Sequence, residues 1–327
     1  MRPLEDRLKA RIADEGPISV ADYMAEANAH YYATRDPLGV AGDFTTAPEI
    51  SQMFGELVGI WLADLWQRAG RPDGAYYVEL GPGRGTLAAD ALRAMRGAGL
   101  DPAVELVEAS PLLRCAQAER VAYARWRDDI GSLPQDGPLL IVANEFFDAL
   151  PVRQFDRAGN ELIVAIGGDG FVREGRVERE VSPASLDVAD ALARRLVAQG
   201  GAALVIDYGH DRPGTGDTLQ AVSAHAYADP WRAPGTCDLT AHVDFAALGG
   251  AARAAGARIF GPIGQGDWLE AMGISMRAAA LARGAPDRTE EIEAARARLT
   301  APEQMGRLFR AMALVAPDWP APAGFRA

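Results

Sequence analysis

Residues 139–143 (LLIVA) and 203–207 (ALVID) are short runs with no polar side chain before the closing Asp207. A strand can be apolar on both sides only where both faces are covered, as in a parallel sheet held between helices. From residue 75 the chain keeps to that plan. Residues 75–80 (AYYVEL) read as a strand, 81–85 as a glycine turn and 86–98 as a helix. Residues 104–107 (VELV) are a second strand, 111–123 a helix and 125–127 a third strand before LLIVA. This alternation predicts an α/β fold built on a parallel sheet.

The flanking segments fit around that sheet. Leu4, Leu8 and Ile12 recur at helical spacing, so residues 3–15 should form an amphipathic helix. Ser19 is placed to cap a second helix through Tyr23, Met24 and Ala27. A glycine-rich loop follows over residues 36–45. Thr46, with Pro48 and Glu49, then reads as a capping box, the Glu49 carboxylate reaching back. That helix would bury Met53, Phe54, Leu57, Val58, Trp61 and Leu65. Residues 152–181 alternate with period two around turn signals, which predicts an inserted antiparallel hairpin or small sheet. A helix over 183–199 should lead into ALVID, and 213–235 should be loop. Helices over 243–256 and 266–307, with strands over 258–263 and 308–315, should complete the chain. The expectation is one enlarged domain over 1–327. It comprises a helical N-terminal cap (1–70), a ligand-binding half (75–150), the β insert (152–181) and the rest of a seven-stranded Rossmann-like sheet with extra helices (182–327).

Charge narrows the class. Thirty-three basic and 45 acidic side chains leave a net charge of −12 over 327 residues. Phosphate binding rests on clustered Lys and Arg, so a nucleic-acid partner is not expected. No apolar run approaches a membrane span, so membrane insertion is not expected either. Cys115 and Cys237 form no CxxC pair, and the His and Asp are scattered, so no metal is expected. The first 16 residues mix four basic with four acidic groups and lack an apolar centre, which reads as a cytoplasmic chain. Oligomeric state is not legible.

The strongest motif is Glu79-Leu80-Gly81-Pro82-Gly83-Arg84-Gly85-Thr86-Leu87, between a strand and a helix. Dinucleotide sites use G-x-G-x-x-G with pyrophosphate on the helix N-terminus. Here the pattern is acid-x-G-x-G-x-G, and Thr86 stands where the third dinucleotide glycine would be. A carboxylate at the strand end suits a cationic amino group better than a diphosphate. That favours S-adenosyl-L-methionine over NAD, with a nucleotide site or a purely structural turn as alternatives. Glu108, followed by Ala109 and Ser110, ends the next strand, where an acid can accept from both ribose hydroxyls. Asp129 and Ile130, after the third strand, could bond and cover an adenine. Asn144, Glu145 and Asp148 follow LLIVA, at the carboxyl end where open parallel sheets bind ligands. Asp43, Thr45 and Thr46 on the glycine-rich loop, and Asp207 and His210 after ALVID, belong to the same mouth by position. His210 is a candidate general base.

Together these segments resemble the MidA-like family of class I S-adenosylmethionine-dependent methyltransferases, whose mitochondrial members are complex I assembly factors and protein arginine methyltransferases. The resemblance is carried by YYATRDPLGVAGDFTTAPEIS (31–51), VELGPGRGTL (78–87), NEFFDALPVRQF (144–155), IDYGH (206–210) and DLTAHVDF (238–245). It continues in GPIGQGDWLEAMGI (261–274) and MGRLFRAMALVAP (305–317). The chain departs from it at residues 220–231 and at Cys237, which bears on acceptor recognition more than on methyl-donor binding. The resemblance implies donor contacts at Glu79, Gly81, Gly83, Thr86, Glu108, Asp129 and Asn144, with S-adenosylhomocysteine as product and residues 42–44 as a lid. It also implies an arginine-bearing protein acceptor, by analogy a respiratory-complex subunit. A guanidinium needs carboxylates to orient one nitrogen and take a proton. Glu145, Asp148, Asp43 and Asp207 are the candidates, with His210. Two other readings stay open: methylation of another residue or a small molecule, and an assembly chaperone that binds the donor without turnover.

Overall fold

The computed structural model describes residues 3–34, 46–168, 170–212, 216–223 and 226–325. From edge to edge the main sheet runs through Arg258–Gly264, Phe309–Val315, Gly201–His210, Leu139–Asn144, Tyr76–Leu80, Ala103–Val107 and Arg125–Arg127. The last five of these pair in parallel. Phe309–Val315 runs antiparallel to both of its neighbours. Leu139–Asn144 is buried along its whole length, as are the first seven residues of Gly201–His210, which is what the two apolar runs required.

Seven strands were expected; a short eighth, Val243–Asp244, pairs in parallel with Gly209 and His210. The strand that carries ALVID therefore continues to His210. Backbone pairing does not need apolar side chains, so the end of the apolar run does not mark the end of the strand. A topological switch lies between Tyr76–Leu80 and Leu139–Asn144, because the chain leaves the first strand to build one side of the sheet and returns to build the other. A crevice at the carboxyl ends is the usual result.

Helix Gln52–Arg68 crosses helix Thr86–Gly97 at close range. A Cβ on Gly59 would lie 2.3 Å from the carbonyl oxygen of Ala91. Glu56, almost fully buried, reinforces this corner by accepting from Arg277 at 2.7 and 2.8 Å and from Arg93 at 3.0 Å. The segment before the helix departs from the expected capping box. Ser51, not Thr46, caps the long helix, accepting from the Met53 N–H at 3.2 Å. Residues Ala47–Ile50 form a separate turn of helix with no side-chain cap at Thr46. Glu49 is drawn away to a partner across the fold.

The N-terminal helices Leu4–Glu15 and Val20–Thr34 form where periodicity placed them, and Ser19 accepts from the Asp22 N–H at 3.0 Å. They bury Leu8, Tyr23, Met24 and Ala27 in a second hydrophobic cluster with Val164 and Phe171 from the inserted strands. The insert is two pieces. Ile163–Gly167 and Gly170–Arg173 form a hairpin that pairs with Ile18–Ser19, and Arg153–Phe155 pairs with Arg179–Val181. The expected loop over 213–235 contains antiparallel strands Gln220–Ser223 and Ala226–Ala228, and the first also pairs with Asp238–Thr240. Asn28 ties the second helix to this layer. Its amide donates to the carbonyls of Ala149 (3.0 Å) and Leu239 (2.8 Å) and accepts from the Leu239 N–H (3.0 Å).

Candidate functional site

A cavity of about 1280 Å³ opens at the carboxyl ends of the strands that flank the switch. Small-molecule sites usually enclose roughly 300–1,000 Å³, so the cavity is larger than one ligand needs. The glycine turn forms one wall. Gly81, Gly83 and Gly85 adopt φ of 59°, 53° and 79°, a left-handed conformation that costs other residues about 1–2 kcal/mol each. A Cβ on Gly81 would lie 3.1 Å from the Phe146 ring, so the absence of a side chain keeps the cradle open. Pro82, Thr86 and Leu87 also line it. Gly85 does not. It is the residue before helix Thr86–Gly97, and its role is to turn the chain, a correction to its expected place among the ligand contacts.

Two buried carboxylates face this half of the cavity. Glu79 accepts from the Tyr77 hydroxyl at 2.6 Å, the two lying on one face of the strand, and burial pushes its carboxyl up to about 8. Glu108 is raised by burial too, opposed by the Ser110 N–H (2.8 Å) and the Gln117 amide (3.1 Å). Gln117 also donates to the Gly83 carbonyl (2.7 Å) and accepts from the Trp126 indole (2.7 Å). It thus locks the glycine turn to the acid of the next strand. Ala109 lines the cavity, and so does Ser110, whose hydroxyl is committed to the Tyr32 carbonyl at 2.7 Å. Ile130 and Asp129 reach the same wall, with Asp129 accepting from the Ser132 N–H at 2.9 Å.

The other half is built by the turn after Leu139–Asn144. Glu145 adopts φ of 50°, a strained position for a non-glycine residue. One of its oxygens accepts from the Asn144 amide (3.2 Å) and the Ala47 N–H (3.3 Å). Burial, with Asp148 beside it, pushes its carboxyl up to about 8. Burial raises Asp148 to about 6, opposed by a hydrogen bond from the Tyr208 hydroxyl. Neither carboxylate has an ion-pair partner among the described residues. Asn144 Oδ1 is buried with no hydrogen-bond partner among the described residues.

Asp207 and His210 depart from their expected roles. Asp207 does not reach the cavity. One of its oxygens accepts from the N–H groups of Phe146 (3.2 Å), Phe147 (2.9 Å) and Asp148 (3.2 Å), and the other from Tyr208 (2.9 Å). It is the anchor of the turn that carries Glu145 and Asp148. Burial, with Asp148 and Glu145 near it, raises its carboxyl well above the usual range. His210 lines a separate cavity of about 430 Å³ and contacts the carbonyl of Arg212, so it is not placed to act as a base in the main one. Thr46 lines the main cavity; Asp43 and Thr45, with the expected lid, lie outside the described residues. Sequence reasoning missed Asn28, Tyr32, Glu49, Tyr208, Asp238 and Thr240, all of which line the cavity. Only Tyr208 carried a signal, as the neighbour of Asp207 at the end of a buried strand. The others come from elements whose approach no local pattern records.

Comparisons with known proteins give the family. A family profile of S-adenosyl-L-methionine-dependent methyltransferases matches residues 57–172 and 169–263. The chain belongs to this family. The methyltransferase is 35% identical to a Drosophila melanogaster protein, "Protein arginine methyltransferase NDUFAF7 homolog, mitochondrial", over 370 aligned residues covering 95% of this chain and 84% of that one. It is 36% identical to "Protein arginine methyltransferase NDUFAF7, mitochondrial" of Homo sapiens, over 96% of this chain and 83% of that one. A Burkholderia thailandensis protein crystallised with S-adenosyl-homocysteine superposes with a TM-score of 0.87 at 26% identity, covering 99% of this chain and 95% of that one. The donor is therefore S-adenosyl-L-methionine, and the open Gly81 cradle beside two buried carboxylates fits a ligand with an ammonium and a ribose. The cytoplasmic expectation does not stand, because both named relatives are mitochondrial. Compartment is set by addressing signals, which the charge balance of a helix does not record.

Proposed function

We propose that this methyltransferase modifies an arginine side chain of a protein. The observation that carries the reading is the pair Glu145, half-buried, and Asp148, buried, with no cationic partner among the described residues, in the cavity that holds the glycine cradle. Two carboxylates raised by burial are stabilised by a cation that enters between them. A guanidinium is the side chain with a planar fork of donors to meet both. The names of the relatives support the same acceptor class.

Donor binding falls to Glu79, Glu108, the backbone of Gly81 and Gly83, and Asn144, with Thr86 and Asp129 at the edges. When bound, S-adenosyl-L-methionine supplies a methyl group on a sulfonium and departs as S-adenosylhomocysteine. Glu145 and Asp148 hold the guanidinium so that one nitrogen faces that methyl, and the proton that this nitrogen loses passes to one of the two carboxylates. Tyr208 orients Asp148, and Asp207 fixes the turn. The acid of the pair must be ionised to receive the proton, so the cation's effect on the raised carboxyls is part of the mechanism.

The test is transfer of labelled methyl from S-adenosyl-L-methionine into proteins of a lysate, followed by mass spectrometry of the modified residue. Label on arginine is the expected result. Label on lysine or on a metabolite removes the arginine reading, and absence of any label favours donor binding without turnover.

A further inference from the structure

The turn of helix Ala47–Ile50 contributes Pro48 and Glu49 to the cavity wall, and two hydrogen bonds tie it to the cavity's two halves. The Ala47 N–H meets Glu145 at 3.3 Å, on the same oxygen that takes the Asn144 amide. At the other end, the Thr86 hydroxyl donates to Glu49 at 2.5 Å. Glu49 is thus brought to the start of helix Thr86–Gly97, beside the glycine cradle, although it is 30 residues before Glu79 in the chain. Only one of its oxygens is engaged; the other has no partner among the described residues. A second, independent feature points to a missing donor group. Asn144 is only 9% exposed, lines the same cavity, and has an Oδ1 with no hydrogen-bond partner among the described residues. A buried amide oxygen left unpaired is costly unless a ligand satisfies it. A carboxylate with a spare oxygen and an unpaired amide oxygen in one cavity call for a ligand rich in N–H and positive charge.

We propose that Glu49 is a donor-binding residue: with Asn144 Oδ1 it takes the α-ammonium of the amino-acid arm of S-adenosyl-L-methionine. The ammonium has three N–H groups and no acceptor, so it can meet Glu49, Asn144 and Glu79 together. Thr86 holds Glu49 in position, leaving its second oxygen to the ligand. The adenosine end lies with Glu108 and Asp129 and does not depend on Glu49. The proposal rests on the donor reading of the cavity and not on the identity of the acceptor.

The experiment compares ligands that differ only in that arm. Calorimetry with S-adenosylhomocysteine, which has the ammonium, and with 5′-methylthioadenosine, which lacks the whole amino-acid arm, is run on the wild type, Glu49→Gln and Thr86→Val. Glu49→Gln is expected to weaken S-adenosylhomocysteine by roughly tenfold to a hundredfold, as for a charge-assisted hydrogen bond, and to leave 5′-methylthioadenosine within about twofold. Thr86→Val should shift the same ligand in the same direction by less, and it stands in if Glu49→Gln does not fold. Equal weakening of both ligands would mean that Glu49 only steadies the helix start, and no weakening of either would mean that it does not meet the donor; each overturns the proposal. Failure of the wild type to bind S-adenosylhomocysteine would instead overturn the donor reading itself.

Discussion

Replacement of Asp207 separates two roles that a buried carboxylate at a strand end can have. In Asp207→Ala, the N–H groups of Phe146, Phe147, Asp148 and Tyr208 all lose their acceptor. At about 1 kcal/mol or more for each buried donor left unpaired, and with some relief as the turn relaxes, the loss is about 3–6 kcal/mol. That is a large share of a total stability of about 5–15 kcal/mol. For a chain of this length it lowers the melting temperature by roughly 5–9 °C. Asp207→Asn keeps one carbonyl oxygen for the three donors of the turn and sets its amide against the Tyr208 N–H. It also removes the acidic group beside Asp148 and Glu145, and its loss should be about 1–2 kcal/mol. Scanning fluorimetry measures the stabilities, and labelled methyl transfer into a lysate measures turnover. Asp207→Asn should keep turnover within about tenfold, and Asp207→Ala should lose it as Glu145 and Asp148 are released, a general-acid or base group being worth about 10²–10⁴. The anchor reasoning is refuted if Asp207→Ala melts with the wild type. It is equally refuted if Asp207→Asn is fully stable and as inactive as Asp207→Ala, since the carboxylate would then be acting chemically.

Three other outcomes follow from the same geometry. Gly83→Val places a β-branched residue at φ of 53° in the cradle and should abolish S-adenosyl-L-methionine binding by calorimetry; retained binding would move the site elsewhere. Glu79 and Glu145, each raised from 4.5 to about 8, keep in the folded ligand-free state protons that the unfolded chain has lost between those values. Stability should therefore fall as pH rises across that window and level off above it, and Glu79→Gln with Glu145→Gln should flatten the melting-temperature profile. Asn28→Ala removes two buried hydrogen bonds from the second helix to Leu239 of the strand layer and a part-buried one to Ala149, and should cost about 2–4 kcal/mol, read as a lower melting temperature; an unchanged value would mean that the layer is held by its apolar cluster alone.

Much of the site could be read from local pattern because the chemistry sits at strand ends. LLIVA and ALVID show where two strands must be buried, and Glu79, Glu108, Asn144 and Glu145 follow from standing at or just beyond the carboxyl ends of strands. The same rule misjudged Asp207. It stands at the end of an apolar run, but the strand continues through it, and four neighbouring N–H groups turn its carboxylate inward. His210 follows the same strand to its last residue and so leaves the cavity. Glu49 shows a second limit. The spacing of Thr46 and Glu49 is that of a capping box, yet Thr86, 37 residues on, offers a better partner once helix Gln52–Arg68 has packed on helix Thr86–Gly97.

What the chain determines by itself is whatever depends on near neighbours: helix and strand periodicity, the glycines that permit a left-handed turn, and the acids that end buried strands. Those features carry the parallel sheet, the glycine cradle and the family. The tertiary structure alone decides which carboxylates share a cavity, which are consumed as anchors, and which polar groups arrive from afar. Asn28, Tyr32 and Asp238 line the site only because the second N-terminal helix and the strands near residue 240 pack over the sheet's carboxyl edge, and Glu49 only because its turn of helix is held against Thr86. That packing depends on the area buried between whole surfaces, and burial in turn sets the protonation of Glu79, Glu145 and Asp148.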